Sequence, residues 1–178
     1  SGDINNFFTI NQQTGVITTR VNKLEHHLYP SVLLGVKAEA GNPPVYGSAQ
    51  VNITILDVND HAPEFLSSYI EITVFEDQDL ATTIYMAHAT DKDSGPNGTV
   101  QYRLSVNPSN TFQVDMSTGE VRLNKALDYE TQQEYTLIIN AYDQGSPSLS
   151  SNLTLKVKVS NVNDNPPIFT QNRSEERR

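Results

Sequence analysis

Asp57-Val58-Asn59-Asp60-His61-Ala62-Pro63-Glu64-Phe65 decides the fold, because Asn161-Val162-Asn163-Asp164-Asn165-Pro166-Pro167-Ile168-Phe169 repeats its plan one unit further along. Each copy follows a segment of alternating apolar residues and ends in proline and phenylalanine. Working outward, Phe8-Thr9-Ile10-Asn11-Gln12-Gln13-Thr14-Gly15-Val16-Ile17 matches Phe112-Gln113-Val114-Asp115-Met116-Ser117-Thr118-Gly119-Glu120-Val121, and Leu24 to Ala40 aligns with Leu127 to Asp143 without a gap. A fixed internal period means tandem units, so the quoted stretch is a linker. Oxygen-bearing side chains in a short, proline-stiffened linker are the donors a hard cation needs. Calcium takes about six to eight oxygens from carboxylates, amides and backbone carbonyls.

The 178 residues allow one large or two small domains. Hydrophobic residues make up 37% and tryptophan is absent, enough for small cores but low for a large enzyme. A net charge of −9 argues against nucleic acid and anionic membrane surfaces as partners. Acidity of this kind is usually a solvated surface; here many of the acids cluster at the repeat junction and at matching places within the repeats. With no cysteine, disulfides and thiolate metal sites are excluded. Asn-x-Ser/Thr sequons at Asn52, Asn97, Asn152 and Asn172 permit a secreted, glycosylated context. No signal peptide and no long apolar run occurs, so any membrane anchor of a parent protein is expected outside this chain. Residues 173–178 have no strand pattern and read as a disordered or appended tail.

In the second unit, period-two segments punctuated by turns predict strands at Tyr69–Glu76, Thr83–Ala89, Val100–Val106, Phe112–Val114, Glu120–Leu123, Glu134–Asp143 and Ser150–Val159. No sustained helical period appears. Seven short strands in about a hundred residues favour an immunoglobulin-like sandwich. The expected fold is therefore all-β, with tandem Greek-key β-sandwich repeats. Residues 1–60 form the C-terminal part of a truncated first repeat, 61–165 a complete repeat, and 166–178 the start of the next linker with the tail. In the first copy, strands are expected at Phe7–Ile10, Val16–Thr19, Tyr29–Ala38 and Ala49–Val58. Such a half sandwich leaves an apolar face and edges uncovered, and is expected to be marginal or partner-dependent.

Asp57-Val58-Asn59-Asp60-His61 with Pro63 and Phe65, Asp91-Lys92-Asp93-Ser94-Gly95 with Asn97-Gly98, Leu127-Asp128-Tyr129-Glu130 and Ala141-Tyr142-Asp143 resemble the motifs of cadherin extracellular repeats. The similarity runs through nearly the whole chain to Phe169. Its spelling is more like the protocadherin and Fat/Dachsous-type long cadherins than the type I adhesion proteins. The resemblance implies Ca2+ at each junction. At the internal one, Asn59, the carbonyl of His61, Asp91, Asp93, the carbonyl of Asn97 and Asp143 match the ligands of the lower ion, a complete set. Asp57 and Asp60 match ligands of the upper sites. There the family has Asp-x-Glu where this chain has Glu25-His26-His27, so an imidazole replaces a bridging carboxylate. One strong site with weak or empty neighbours is expected. At the far end, Glu76, Asp128, Glu130, Asn161, Asn163 and Asp164 match half of a second junction, with Asn161 in place of the usual Asp removing one charge.

Taken singly, each motif is an ordinary surface turn, and His26 and His27 are expected to face solvent, although a His-His pair can bind a transition metal. Their joint occurrence in two aligned copies is what points to calcium. The resemblance implies a calcium-dependent adhesion or recognition ectodomain, extracellular at the cell surface, whose partners are other cadherin ectodomains. The competing readings are a calcium-independent sandwich that binds a ligand, and an enzyme using paired carboxylates. No nucleophile elbow, phosphate loop or His-Glu-x-x-His helix is present, so an enzyme is not expected.

Overall fold

Alternation across Ser150–Ser160 turns Leu153, Leu155, Val157 and Val159 to one side, where all four are buried, while Thr154, Lys156 and Lys158 are only half-buried on the other. The computed structural model describes residues 2–3, 5–80 and 82–166. Ile168 and Phe169 of the second linker, the Asn172 sequon and the tail lie outside the described residues.

In chain order the strands are β1 Phe8–Ile10, β2 Ile17–Thr19, β3 Ser31–Ala40, β4 Val45–Thr54, β5 Glu64–Phe65, β6 Tyr69–Phe75, β7 Thr83–Met86, β8 Ala89–Thr90, β9 Gln101–Val106, β10 Phe112–Val114, β11 Glu120–Leu123, β12 Glu134–Tyr142 and β13 Ser150–Ser160. A 3₁₀ turn at Pro108–Asn110 precedes β10.

The second repeat is a sandwich of a four-stranded sheet, β6-β13-β12-β9, and a three-stranded sheet, β10-β11-β7, with the short pair β5-β8 alongside. Between the sheets, Leu137, Ile139, Leu153, Leu155 and Val157 join Phe112, Val121 and Leu123 in one core. Burying each such side chain contributes about 1.5–3 kcal/mol. β6 runs parallel to β13 while the other pairings of this sheet are antiparallel. That topology fixes which segments meet. At one end, Tyr142 of β12 lies opposite both Gln101 of β9 and Ser150 of β13, so the 91–100 and 143–149 turns converge on the incoming linker. At the other end Phe75 pairs with Ser160, which brings Glu76 to the outgoing linker.

The first repeat contains two hairpins, β1-β2 and β3-β4. Among the described residues, Phe8 and Leu34 are the fully buried apolar side chains before the linker. They align with Phe112 and Leu137. Val51, Ile53 and Ile55, which align with the fully buried Leu155, Val157 and Val159, are only half-buried. Among the described residues, no strand flanks the β3-β4 pair as β6 and β9 flank β13 and β12 in the second repeat.

Beyond shifts of one or two residues at strand ends, such as Tyr29–Ala38 becoming Ser31–Ala40, two strand expectations change. The segment expected as Ala49–Val58 forms β4 at Val45–Thr54 instead. Among the described residues, no strand pairs with its last residues as β6 pairs with the end of β13. Thr83–Ala89 splits into β7 and β8, because the chain leaves β11 and pairs with the two-residue β5, whose existence the alternation did not reveal. Ala87 at the switch keeps one bond, donating its N–H to the Gly119 carbonyl at 2.9 Å.

Candidate metal centre

The short polar run 91–97 cannot continue β8, and it folds back on its own side chains. Asp91 Oδ1 accepts the Asp93 N–H at 2.9 Å. This turn points the Asp93 carboxylate at the linker, where Oδ2 accepts the N–H groups of Asp60 at 3.0 Å and His61 at 2.9 Å. The Asp93 side chain is 3% exposed. Asp57 reaches the same turn from the linker side: its Oδ2 accepts from the Ser94 N–H at 2.8 Å and from Asn97 Nδ2 at 3.2 Å. Asp143, fully buried at the end of β12, folds its hairpin by accepting from the N–H groups of Gly145 at 2.9 Å and Leu149 at 3.0 Å.

Asn59 donates through Nδ2 to the Pro147 carbonyl at 2.6 Å. Its Oδ1 is buried with no hydrogen-bond partner, and so is Asp91 Oδ2. Leaving such oxygens unsatisfied costs about 1–3 kcal/mol each, more for a charged group. Burial, with the Asp93 and Asp143 charges adding to it, pushes the Asp91 carboxyl above its ordinary value against the bond from the Asp93 N–H. A carboxyl raised on folding is destabilising once ionised, so this cost grows as pH rises through the carboxylate range, and a cation beside Asp91 removes it. The oxygens present therefore fit calcium, a hard ion that takes carboxylate and amide oxygen.

Gly145 makes this packing possible, since a Cβ there would collide with the Asn59 side-chain amide and stand 2.9 Å from Asn97 Oδ1. Gly145→Ala is expected to displace Asn59 and weaken calcium binding by roughly tenfold, the size of a lost supporting contact, as read by calorimetry. Asn97 also carries a sequon, but the amide nitrogen that would bear a glycan is committed to Asp57. Asn52 and Asn152 lie on exposed positions of β4 and β13.

On the upper side the structure corrects the expectation that His26 faces solvent, since it is half-buried, while His27 is an exposed residue as expected. Their side chains are 21% and 26% exposed. His26 Nδ1 lies 3.3 Å from Asp57 Oδ1 and 3.2 Å from Ser94 Oγ. His27 Nδ1 lies 3.7 Å from Glu25 Oε2, and its ring meets that of His61 edge-on, centroids 5.3 Å apart. His61 Nδ1 is shared between Asp93 Oδ1 at 2.7 Å and Asp60 Oδ1 at 2.8 Å, and the Asp93 carboxylate raises the imidazole above its ordinary value. One residue escaped the sequence reading. Lys23 Nζ stands 2.6 Å from Asp60 Oδ2 and 3.2 Å from Glu25 Oε1, holding the Asp60 carboxyl below its usual range. Its signal was a departure from the repeat, for the aligned residue is Ala126.

The far end is less closed. Glu76 is buried and accepts from the Tyr129 N–H at 2.8 Å and the Val162 N–H at 2.5 Å. Carboxylate oxygens of Glu76, Glu130 and Asp164 lie within 4.8 Å of one another, and Asn161 Nδ2 donates to Glu130 at 3.3 Å. Asp128 is held by Thr131, whose hydroxyl at 2.6 Å and N–H at 3.1 Å lower its carboxyl. Asn163 is exposed and joins none of these contacts.

A family model described as "Cadherin domain" matches residues 70–160. Protein dachsous of Drosophila melanogaster is 48% identical over 171 residues, covering 95% of this chain and 5% of that protein. Protocadherin Fat 1 of Homo sapiens is 36% identical over 173 residues, covering 96% of this chain and 4% of that protein. The chain thus spans about a twentieth of the length of these relatives. Among solved structures, mouse Cadherin-23 EC22-24 superposes with a TM-score of 0.81 at 30% identity, covering 90% of this chain and 51% of that one. The Protocadherin gammaB7 EC3-6 cis-dimer structure gives a TM-score of 0.82 at 31% identity, covering 96% and 42%.

Proposed function

The chain belongs to the cadherin family, with relatives of the Dachsous and Fat type, and from that membership we propose that its Asp57–Phe65 linker is a calcium joint between two extracellular repeats. The observation that carries this reading is the pair of buried oxygens without partners, Asn59 Oδ1 in the linker and Asp91 Oδ2 in the second repeat. Asn59, Asp91, Asp93 and Asp143 with the carbonyls of His61 and Asn97 would hold the ion. Asp57 and Asp60 lie on the weaker upper side. Bound there, calcium supplies a divalent charge shared by linker and lower repeat.

The acids themselves set the mechanics. At about 4 Å two carboxylates repel by roughly 4 kcal/mol at an intermediate dielectric, so Asp57, Asp60, Asp91, Asp93 and Asp143 favour a joint that opens when nothing neutralises them. Two domains linked only by such a segment would hinge. Glu76, Asp128, Glu130, Asn161, Asn163 and Asp164 present the matching half of a further joint. The function is that of a rod segment in a calcium-dependent adhesion or recognition ectodomain at the cell surface, engaging other cadherin ectodomains. Among the described residues no helix is long and apolar enough to cross a membrane. The family relationship places the chain outside the enzymes.

Thermal melting in calcium and in EGTA tests this reading. The midpoint is expected to rise with calcium, and with affinities of ~10⁻⁴–10⁻³ M for extracellular modules the rise should develop across millimolar additions. A midpoint that does not move would leave only a calcium-independent module.

A further inference from the structure

We propose that the upper side of the joint is a transition-metal site of the zinc class, built from Glu25, His27 and His61. One ligand atom from each of these residues lies within 4.8 Å of those of the other two. Glu25 Oε2 and His27 Nδ1 are 3.7 Å apart. Around a tetrahedral zinc, bonds of about 2.0–2.2 Å place ligand atoms about 3.3–3.6 Å from one another. Modest rotation of two side chains closes that gap. The edge-on packing of the His27 and His61 rings, with an interplanar angle of 84°, holds both imidazoles at one place without stacking them. Asp60 can supply a fourth ligand, since its Oδ1 is already 2.8 Å from His61 Nδ1.

The donor set decides the metal. Two imidazoles and carboxylates suit zinc or copper, while calcium and magnesium prefer oxygen alone. His27 stands where the aligned residue of the second repeat is Glu130, so one substitution changes an oxygen site into a nitrogen one. The ligands also come from two parts of the molecule. Glu25 and His27 precede β3 in the first repeat, and His61 belongs to the linker, so a metal there would tie the first repeat to the linker where the calcium set is thin. The side chains of Glu25, His27 and His61 are 35%, 26% and 24% exposed, which leaves an entry path. Lys23 opposes a second cation here, but its side chain is 55% exposed and can swing into water.

The test is calorimetric titration of zinc chloride into the whole chain at fixed pH, with imidazole NMR. It is run once in saturating calcium and once in calcium-depleted, chelator-free buffer. One zinc per chain is expected in both, with the His27 and His61 rings shifted. His27→Gln and His61→Gln should each weaken binding by more than roughly tenfold, and the exposed His88→Gln should not change it. His27→Glu should lose zinc and gain calcium on the upper side. No zinc heat in either buffer, or zinc held equally well by His27→Gln, or shifts confined to His26 or His88 in the unaltered chain, would overturn the proposal. Zinc binding that survives while calcium leaves the melting midpoint unmoved would overturn the calcium joint alone.

Discussion

Asp93→Ala is expected to unfasten the joint in two ways. The carboxylate it removes accepts from the N–H groups of Asp60 and His61 and bonds the His61 ring. Without it those linker donors lose their partner at a cost of about 1–3 kcal/mol for each one left buried. The same change takes a charged member from the proposed calcium set, whose Asp91 is bonded to the Asp93 N–H and keeps Oδ2 unpartnered. Calorimetry should lose the strong calcium site altogether, and small-angle scattering in calcium should report a wider distribution of interdomain distances. Asp93 is not part of the second repeat's apolar core, so unfolding of that repeat should remain cooperative. A calcium isotherm and a scattering profile identical to those of the unaltered chain would contradict the assigned role.

The other large effect concerns stability. Phe112 is 1% exposed and packs edge-on to Tyr135 with ring centroids 5.3 Å apart. Phe112→Ala should cost about 3–5 kcal/mol, the usual range for emptying such a site, against a total stability of order 5–15 kcal/mol. Phe8→Ala, the aligned change in the first repeat, should cost clearly less. Phe8 borders an open cleft of about 190 Å³ with Ile10, Ile17, Leu34 and Val36, so the space it leaves is filled by water or closed by its neighbours. Urea unfolding of both variants checks this asymmetry. Equal losses would mean that the first repeat packs as tightly as the second.

The contrast also explains which features were legible before the structure was known. β6, β11, β12 and β13 follow from local alternation, because each has one dry and one wetter face. β8 and the early end of β4 do not, since both depend on which strand lies alongside. The lower set of oxygens followed from the resemblance to cadherin motifs, and the structure brings Asn59, Asp91, Asp93, Asn97 and Asp143 to one end of the second repeat. The partial burial of His26 was not legible, because what covers it comes from Asp57 and Ser94, distant in sequence. Lys23 is a similar case, visible only once Asp60 is placed beside it.

The most direct measurement is an anomalous difference map from crystals of this chain grown with calcium or terbium. A peak is expected within bonding distance of Asn59 Oδ1 and Asp91 Oδ2, shared with Asp93 and Asp143. Well-ordered side chains at these positions with no peak between them would contradict the calcium joint.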